Sequence, residues 1–197
     1  MKPETAKPAT YPAHKNRVLK ENAKTSTNFY QSDRILRNYL QHNLSKDGLS
    51  YMESKLQKQG KESAGRMNEL SLTADKNGPE LVKRNAHGET INDFKFNDAY
   101  WKLRDIAVES EMFRVKWEPT LRKKFSEEGN RLGFSTGYLY AMSESGLYCP
   151  LCMTDAGARL VDMFCDEEDK KRILSKVYTA TPEELFTGAM FLTEKAG

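Results

Sequence analysis

Large apolar residues recur three and four positions apart along most of this chain, and no run alternates apolar and polar residues long enough to build a sheet. That spacing predicts helices that bury one stripe each. After a capping Ser32 or Asp33, the residues Ile35, Leu36, Tyr39 and Leu40 mark a first stripe; Leu49, Met52 and Leu56 mark a second. "QGKESAG" places Gly60 and Gly65 inside that second helix, where it can break before Met67 and Leu70 resume the pattern. The stretch "TADKNGPELVKRNAHGETINDF" carries turn signals at Asn77-Gly78-Pro79 and His87-Gly88 and reads as a connector.

Tyr100, Leu103, Ile106 and Ala107 form the next face, with Trp101 as a large buried anchor. Pro119 suits the first turn of a long helix through Leu121, Phe125, Leu132, Leu139 and Met142 to about Glu144. In it Gly129, Gly133 and Gly137 share one face and permit close approach of another helix or of a ligand, the helix being the favoured reading. "CPLCMTDAGARLVDMF" and "DEEDKKRILSKVY" are two more helices, with Leu160, Val161 and Phe164, then Ile173, Leu174 and Val177, as their apolar faces. Thr181-Pro182-Glu183-Glu184 looks like a further helix start with a capping box. Only the final "GAMFLTEKAG" reads as strand-like. The expected fold class is all-α, about six helices, with a strand beginning at the C-terminal end.

The 197 residues suffice for a core without disulfides or metal, so one domain is expected. Residues 1–28 hold three prolines, many lysines and few large apolar groups, and are expected to be a mobile tail. No run of about 18 apolar residues exists, which excludes a membrane-spanning helix. A net charge of +3, evenly mixed, is too weak a footprint for nucleic acid. Three cysteines with no apolar leader point to a reducing, cytoplasmic setting; the tail is too rich in Lys and in acids for a good transit peptide, though a mitochondrial location stays open.

"YCPLC", with Cys149 and Cys152 around Pro150, is the sharpest local motif. A redox dithiol would have a strand before it, and a zinc site would need a second ligand pair, which Cys165, His14, His42 and His87 do not supply at a usable spacing. The bland reading is two half-buried packing residues at a helix start. No catalytic triad, phosphate loop or metal-spaced acid pair appears, and Glu127-Glu128 and Glu167-Glu168 read as solvated helix faces.

Larger blocks carry more. "NGPELVKRNAHGETINDFKFNDAYWKL", "LYCPLCMTDAG" and the terminal "GAMFLTEKAG", in that order, resemble the AidB-like branch of the acyl-CoA dehydrogenase superfamily, over about the last 120 residues. The resemblance implies that residues 29–185 are the N-terminal helical domain of that superfamily and that 186–197 open its flavin-binding β domain. It implies FAD as cofactor and acyl-CoA or a fatty acyl group as ligand. By position, Phe191, Leu192 and Thr193 would lie against the flavin ring, while Met142, Cys149, Pro150, Met153 and Thr154 would line the acyl pocket as shape and polarity; no catalytic residue and no metal ligand is assigned.

The chain departs from the pattern too. It has Phe96-Asn97-Asp98 where the family pattern is nearer F-H-P, and the flavin motif stops at Gly197, before its G-S-D segment. The β domain, the C-terminal bundle, the proton-abstracting carboxylate and the basic surface associated with DNA in that branch all lie beyond these blocks. The expectation is therefore an incomplete, inactive N-terminal portion of an FAD-dependent acyl-CoA dehydrogenase-like flavoprotein, with weak or no flavin binding alone. The alternative is a non-catalytic helical module that assembles with its own copies or with a full-length relative, its exposed "ELFTGAMFL" covered by that partner.

Overall fold

The computed structural model describes residues 27–191, 193 and 195. The expected tail therefore lies outside the described residues up to position 26, as does Leu192 at the other end. Among the described residues the chain is mostly helical: α1 (Phe29–Ser32), α2 (Arg34–Asn43), α3 (Lys46–Ala64), α4 (Arg66–Lys76), β1 (Glu80–Arg84), β2 (Thr90–Lys95), α5 (Asp98–Glu109), α6 (Arg114–Trp117), α7 (Pro119–Lys124), α8 (Gly129–Ala141), α9 (Tyr148–Phe164), α10 (Glu167–Val177) and a 3-10 turn at Pro182–Glu184.

Side-chain caps start six of the ten helices among the described residues. Asp33, Ser45, Glu118 and Asp166 each accept from a backbone N–H two or three residues inside α2, α3, α7 and α10, and each is worth about 1 kcal/mol against alanine. Asn97 does the same for α5, so the residue that departs from the family pattern has a structural task here. Asn28, placed in the tail by composition, is buried; it caps α1 and its side-chain amide donates to the Gln57 carbonyl at 2.9 Å. The break foreseen between Leu56 and Met67 falls at Gly65.

Two apolar clusters meet along α8. One gathers Tyr30, Leu40, Met52, Leu56, Val115, Phe125, Leu132 and Leu139 from α1 to α3 and α6 to α8. The other joins Met67, Leu103, Ile106, Phe113, Trp117, Tyr140, Leu151 and Leu174, from α4 through α10. Tyr140 is wholly buried, its hydroxyl donates to the Leu103 carbonyl at 3.1 Å, and burial raises its pKa well above the usual phenol value.

Several expectations are corrected. The connector at 80–95 is an antiparallel hairpin with Leu81 opposite Phe94 and Gly88 at φ +82 in its turn. Periodicity missed it because both strands are largely solvent-exposed, so neither face is forced to be apolar. The long helix from Pro119 is two, because the chain turns between Phe125 and Gly129. Trp101 is 39% exposed, edge-on to Phe96 and Tyr100 with the Arg104 guanidinium over its ring; α5 buries Ala99, Leu103, Ile106 and Ala107, and Trp101 is turned off that stripe. Ile35, Tyr39, Leu160 and Phe164 are exposed rather than on buried faces. Thr181 to Glu184 makes a single 3-10 turn without a side-chain cap.

The C-terminal segment forms no ladder among the described residues, since a strand needs a partner and none lies beside it. It is held instead as a strap: Phe186 N–H donates to the Lys176 carbonyl at 3.2 Å and Gly188 N–H to Thr154 Oγ1 at 3.0 Å.

Candidate functional site

Helix α9 presents two different surfaces. At 3.6 residues per turn, Tyr148, Leu151, Cys152, Asp155, Ala156 and Arg159 fall on one flank, and Cys149, Pro150, Met153 and Thr154 on the other. The first flank lines a cavity of about 540 Å³ whose remaining walls come from α6, α7 and the glycine face of α8. The second carries the residues singled out by resemblance, and the strap crosses it.

On the strap flank, Thr154 is buried, accepts from Gly188 N–H and donates its own hydroxyl proton to the Pro150 carbonyl at 2.8 Å. A methyl group on Gly188 would sit 3.2 Å from the Met153 oxygen and the Thr154 Cα, so the close approach depends on glycine here. This contact ties the two groups of sequence candidates together, because the strap carries the chain on toward Phe191 and Thr193. Those two are exposed, Phe191 at 93%, and no described cavity includes them. Pro150 and Met153 are half-buried, whereas Cys149 and, at the end of α8, Met142 are exposed.

Inside the cavity the dominant feature is an ion pair. Lys116 Nζ lies 2.6 Å from Asp155 Oδ2, with the lysine side chain only 4% exposed. Trp117 Nε1 donates to the other carboxylate oxygen at 2.8 Å. Burial lowers the Lys116 pKa, and Asp155 opposes that shift by favouring the ammonium. The ammonium also lies 4.2 Å from the centre of the Phe134 ring. Gly133 makes room for the lysine stem, since a Cβ there would come within 2.8 Å of Lys116 Cε. Gly137 does the same for Tyr148, whose hydroxyl would stand 2.6 Å from an added Cβ. The glycine face thus allows the close packing of α6 and α9 that was the favoured reading, and its glycines also border the cavity.

At the rim, Arg122 grips Asp162 through two bonds of 2.7 and 2.8 Å, and Arg159 adds a third at 3.2 Å. The guanidinium of Arg122 keeps the Asp162 carboxyl below its usual pKa. Beyond Trp117 and Arg122 a second hollow of about 540 Å³ opens between α7, α9 and α10.

Leu192 lies outside the described residues, and none of the seven described residues named from resemblance lines the cavity that holds Lys116. Cys152, set aside as incidental, does, and both cysteines of "YCPLC" are exposed rather than half-buried. Among the described residues no cluster of three His, Cys, Asp or Glu could hold a metal ion, and no helix is long and apolar enough to cross a membrane. Lys116 escaped sequence reasoning because a lysine in "FRVKW" reads as surface. Asp155 left a signal: it follows Leu151 by four and precedes Ala158 by three, on the stripe that is buried.

A family model, the adaptive response protein AidB N-terminal domain, matches residues 20–181. The putative acyl-CoA dehydrogenase AidB of Escherichia coli (strain K12) is 30% identical over 94 residues, which is 47% of this chain and 16% of that protein. Among solved structures, the apo-form of Bd2924 has a similar fold, with a TM-score of 0.80 and 24% identity over 87% of this chain and 33% of that one. Caenorhabditis elegans ACDH-11 in complex with C11-CoA has a TM-score of 0.75 and 20% identity, over 88% of this chain and 29% of that one. The chain thus spans no more than a third of these relatives. With its helical architecture and a match over most of its length, this chain belongs to the AidB N-terminal domain family of the acyl-CoA dehydrogenase superfamily.

Proposed function

We propose that this chain forms one wall of an acyl-CoA site, on the strap flank of α9, in an FAD-dependent acyl-CoA dehydrogenase-like protein, and is inactive alone. The observation that carries this reading is the Gly188-to-Thr154 hydrogen bond, which holds the start of the flavin motif against the helix carrying Cys149, Pro150 and Met153. Similarity to a structure holding C11-CoA supports the ligand class. The half-buried Met153 and the exposed Met142 would offer adaptable apolar contact to an acyl chain, with Thr154 holding the strap in place.

The flavin is tested by what surrounds Phe191 and Thr193. Both are exposed, so they fit one open face of a flat ring with a single hydroxyl and enclose nothing. The chemistry a bound FAD supplies is acceptance of a hydride from the acyl group. This chain's part is to present the edge and exclude water from one side. A cytoplasmic setting fits three free cysteines.

A second reading rests on Leu160, Met163 and Phe164 on α9 and Phe186, Met190 and Phe191 after it, all exposed. Such a surface suits a module that assembles with its own copies or with a full-length relative, without catalysis. Calorimetric titration of the chain with acyl-CoAs of graded length tests the first reading. Saturable binding is expected, weakened at least tenfold by Met153→Glu, with no yellow flavin retained and no acceptor dye reduced. Absence of binding at every chain length would reject it. Light scattering separates the readings: a defined oligomer without acyl-CoA affinity favours the module.

A further inference from the structure

The cavity on the opposite flank of α9 plays no part in the proposed acyl site, yet it has features of a binding site. Its floor is the Lys116 ammonium, almost wholly buried, with Asp155 as its single ion-pair partner among the described residues and the Phe134 ring beside it. An ammonium has three N–H donors, and a buried one left partly unsatisfied favours an incoming acceptor oxygen. The other carboxylate oxygen of Asp155 accepts from Trp117 Nε1. Counting the cations Lys116, Arg122 and Arg159 against Asp155 and the Asp162 that clamps both arginines leaves one positive charge in excess.

The walls define the rest of the ligand. Phe113, Trp117, Phe134 and Tyr148 line the cavity together with Gly133 and Gly137. Aromatic side chains lining a cavity favour a planar ring that can stack or meet them edge-on. At about 540 Å³ the space is within the range of small-molecule sites.

We propose that this cavity is a second ligand site, for a flat aromatic molecule bearing one carboxylate, with the carboxylate on Lys116 and the ring against Phe134. It is separate from the acyl-CoA reading and stands or falls without it. The probes are 2-naphthoate and its neutral counterpart 2-naphthalenemethanol, titrated calorimetrically into the full chain at neutral pH. The acid should bind saturably and the alcohol at least tenfold more weakly. Saturating decanoyl-CoA should not displace the acid. In the double variant Lys116→Met/Asp155→Asn, which leaves Trp117 an acceptor, the preference should fall below threefold. Phe134→Ala, at a half-exposed position, should weaken both probes at least fivefold and keep the preference for the acid. The proposal is overturned if the acid does not bind, if acid and alcohol bind alike, if decanoyl-CoA displaces the acid, or if Phe134→Ala leaves affinity unchanged. A folded double variant that still prefers the acid tenfold would overturn it as well; should that variant not fold, the wild-type and Phe134→Ala titrations decide.

Discussion

Replacing Lys116 by methionine tests whether the buried ion pair behaves as its geometry implies. The side chain is 4% exposed and its partner Asp155 16%, so the methionine keeps the stem packed against Gly133 and removes only the charge. Breaking a buried pair from one side costs about 3–5 kcal/mol, because the other charge stays behind without its counter-ion. Asp155 retains the Trp117 indole N–H and some access to water, which places the expected loss at the lower end, about 3 kcal/mol. The double variant Lys116→Met/Asp155→Leu removes both charges but orphans the indole N–H. An unsatisfied buried donor costs about 1–3 kcal/mol, and the relief of two buried charges offsets part of it. The double variant should therefore be more stable than the single.

Urea denaturation measures this as a lower midpoint at unchanged slope. A loss under about 1 kcal/mol, or a double variant no better than the single, would refute the account of the pair as buried and mutually dependent.

Other outcomes follow from the same packing. Leu151→Ala removes a wholly buried side chain from the larger cluster and should cost about 2–5 kcal/mol, read by thermal or urea melts. Gly137→Ala drives a methyl into the Tyr148 hydroxyl and should destabilise by about 1–3 kcal/mol, while Tyr148→Phe in the same background should recover part of that loss. Asp162 has a lowered pKa, chiefly through its hydrogen bonds to Arg122, so its contribution is present above the unfolded carboxylate value and is lost as pH falls through the folded one. Arg122→Gln should flatten that acid limb of the stability curve, and an unchanged limb would count against the clamp. Cys149→Ser and Cys152→Ser should leave disulfide-exchange activity at background, as in the parent chain, since a helix, α8, and not a strand leads into α9.

The helical character of most of the chain was legible because burying one stripe forces a period of 3.6 on the apolar residues, although ten helices among the described residues stand where about six were expected. Asp33 as a cap, the break near Gly65 and the α10 dipole pattern of acids first were all readable for local reasons. The hairpin at 80–95 was not, because strands exposed on both faces carry no alternation to read. The family was legible from blocks of sequence whose order outweighs any single motif. What only the tertiary structure decided is which flank of α9 faces what. The sequence places Cys149 and Cys152 three residues apart and makes them look like one motif. The packing of α6 and α8 against Tyr148, Cys152 and Asp155 assigns one cysteine to a cavity and the other to the flank crossed by the strap. It also buries Lys116, whose partner Asp155 is 39 positions away, a pairing that no local spacing encodes because it depends on where α9 returns after α8 turns the chain back.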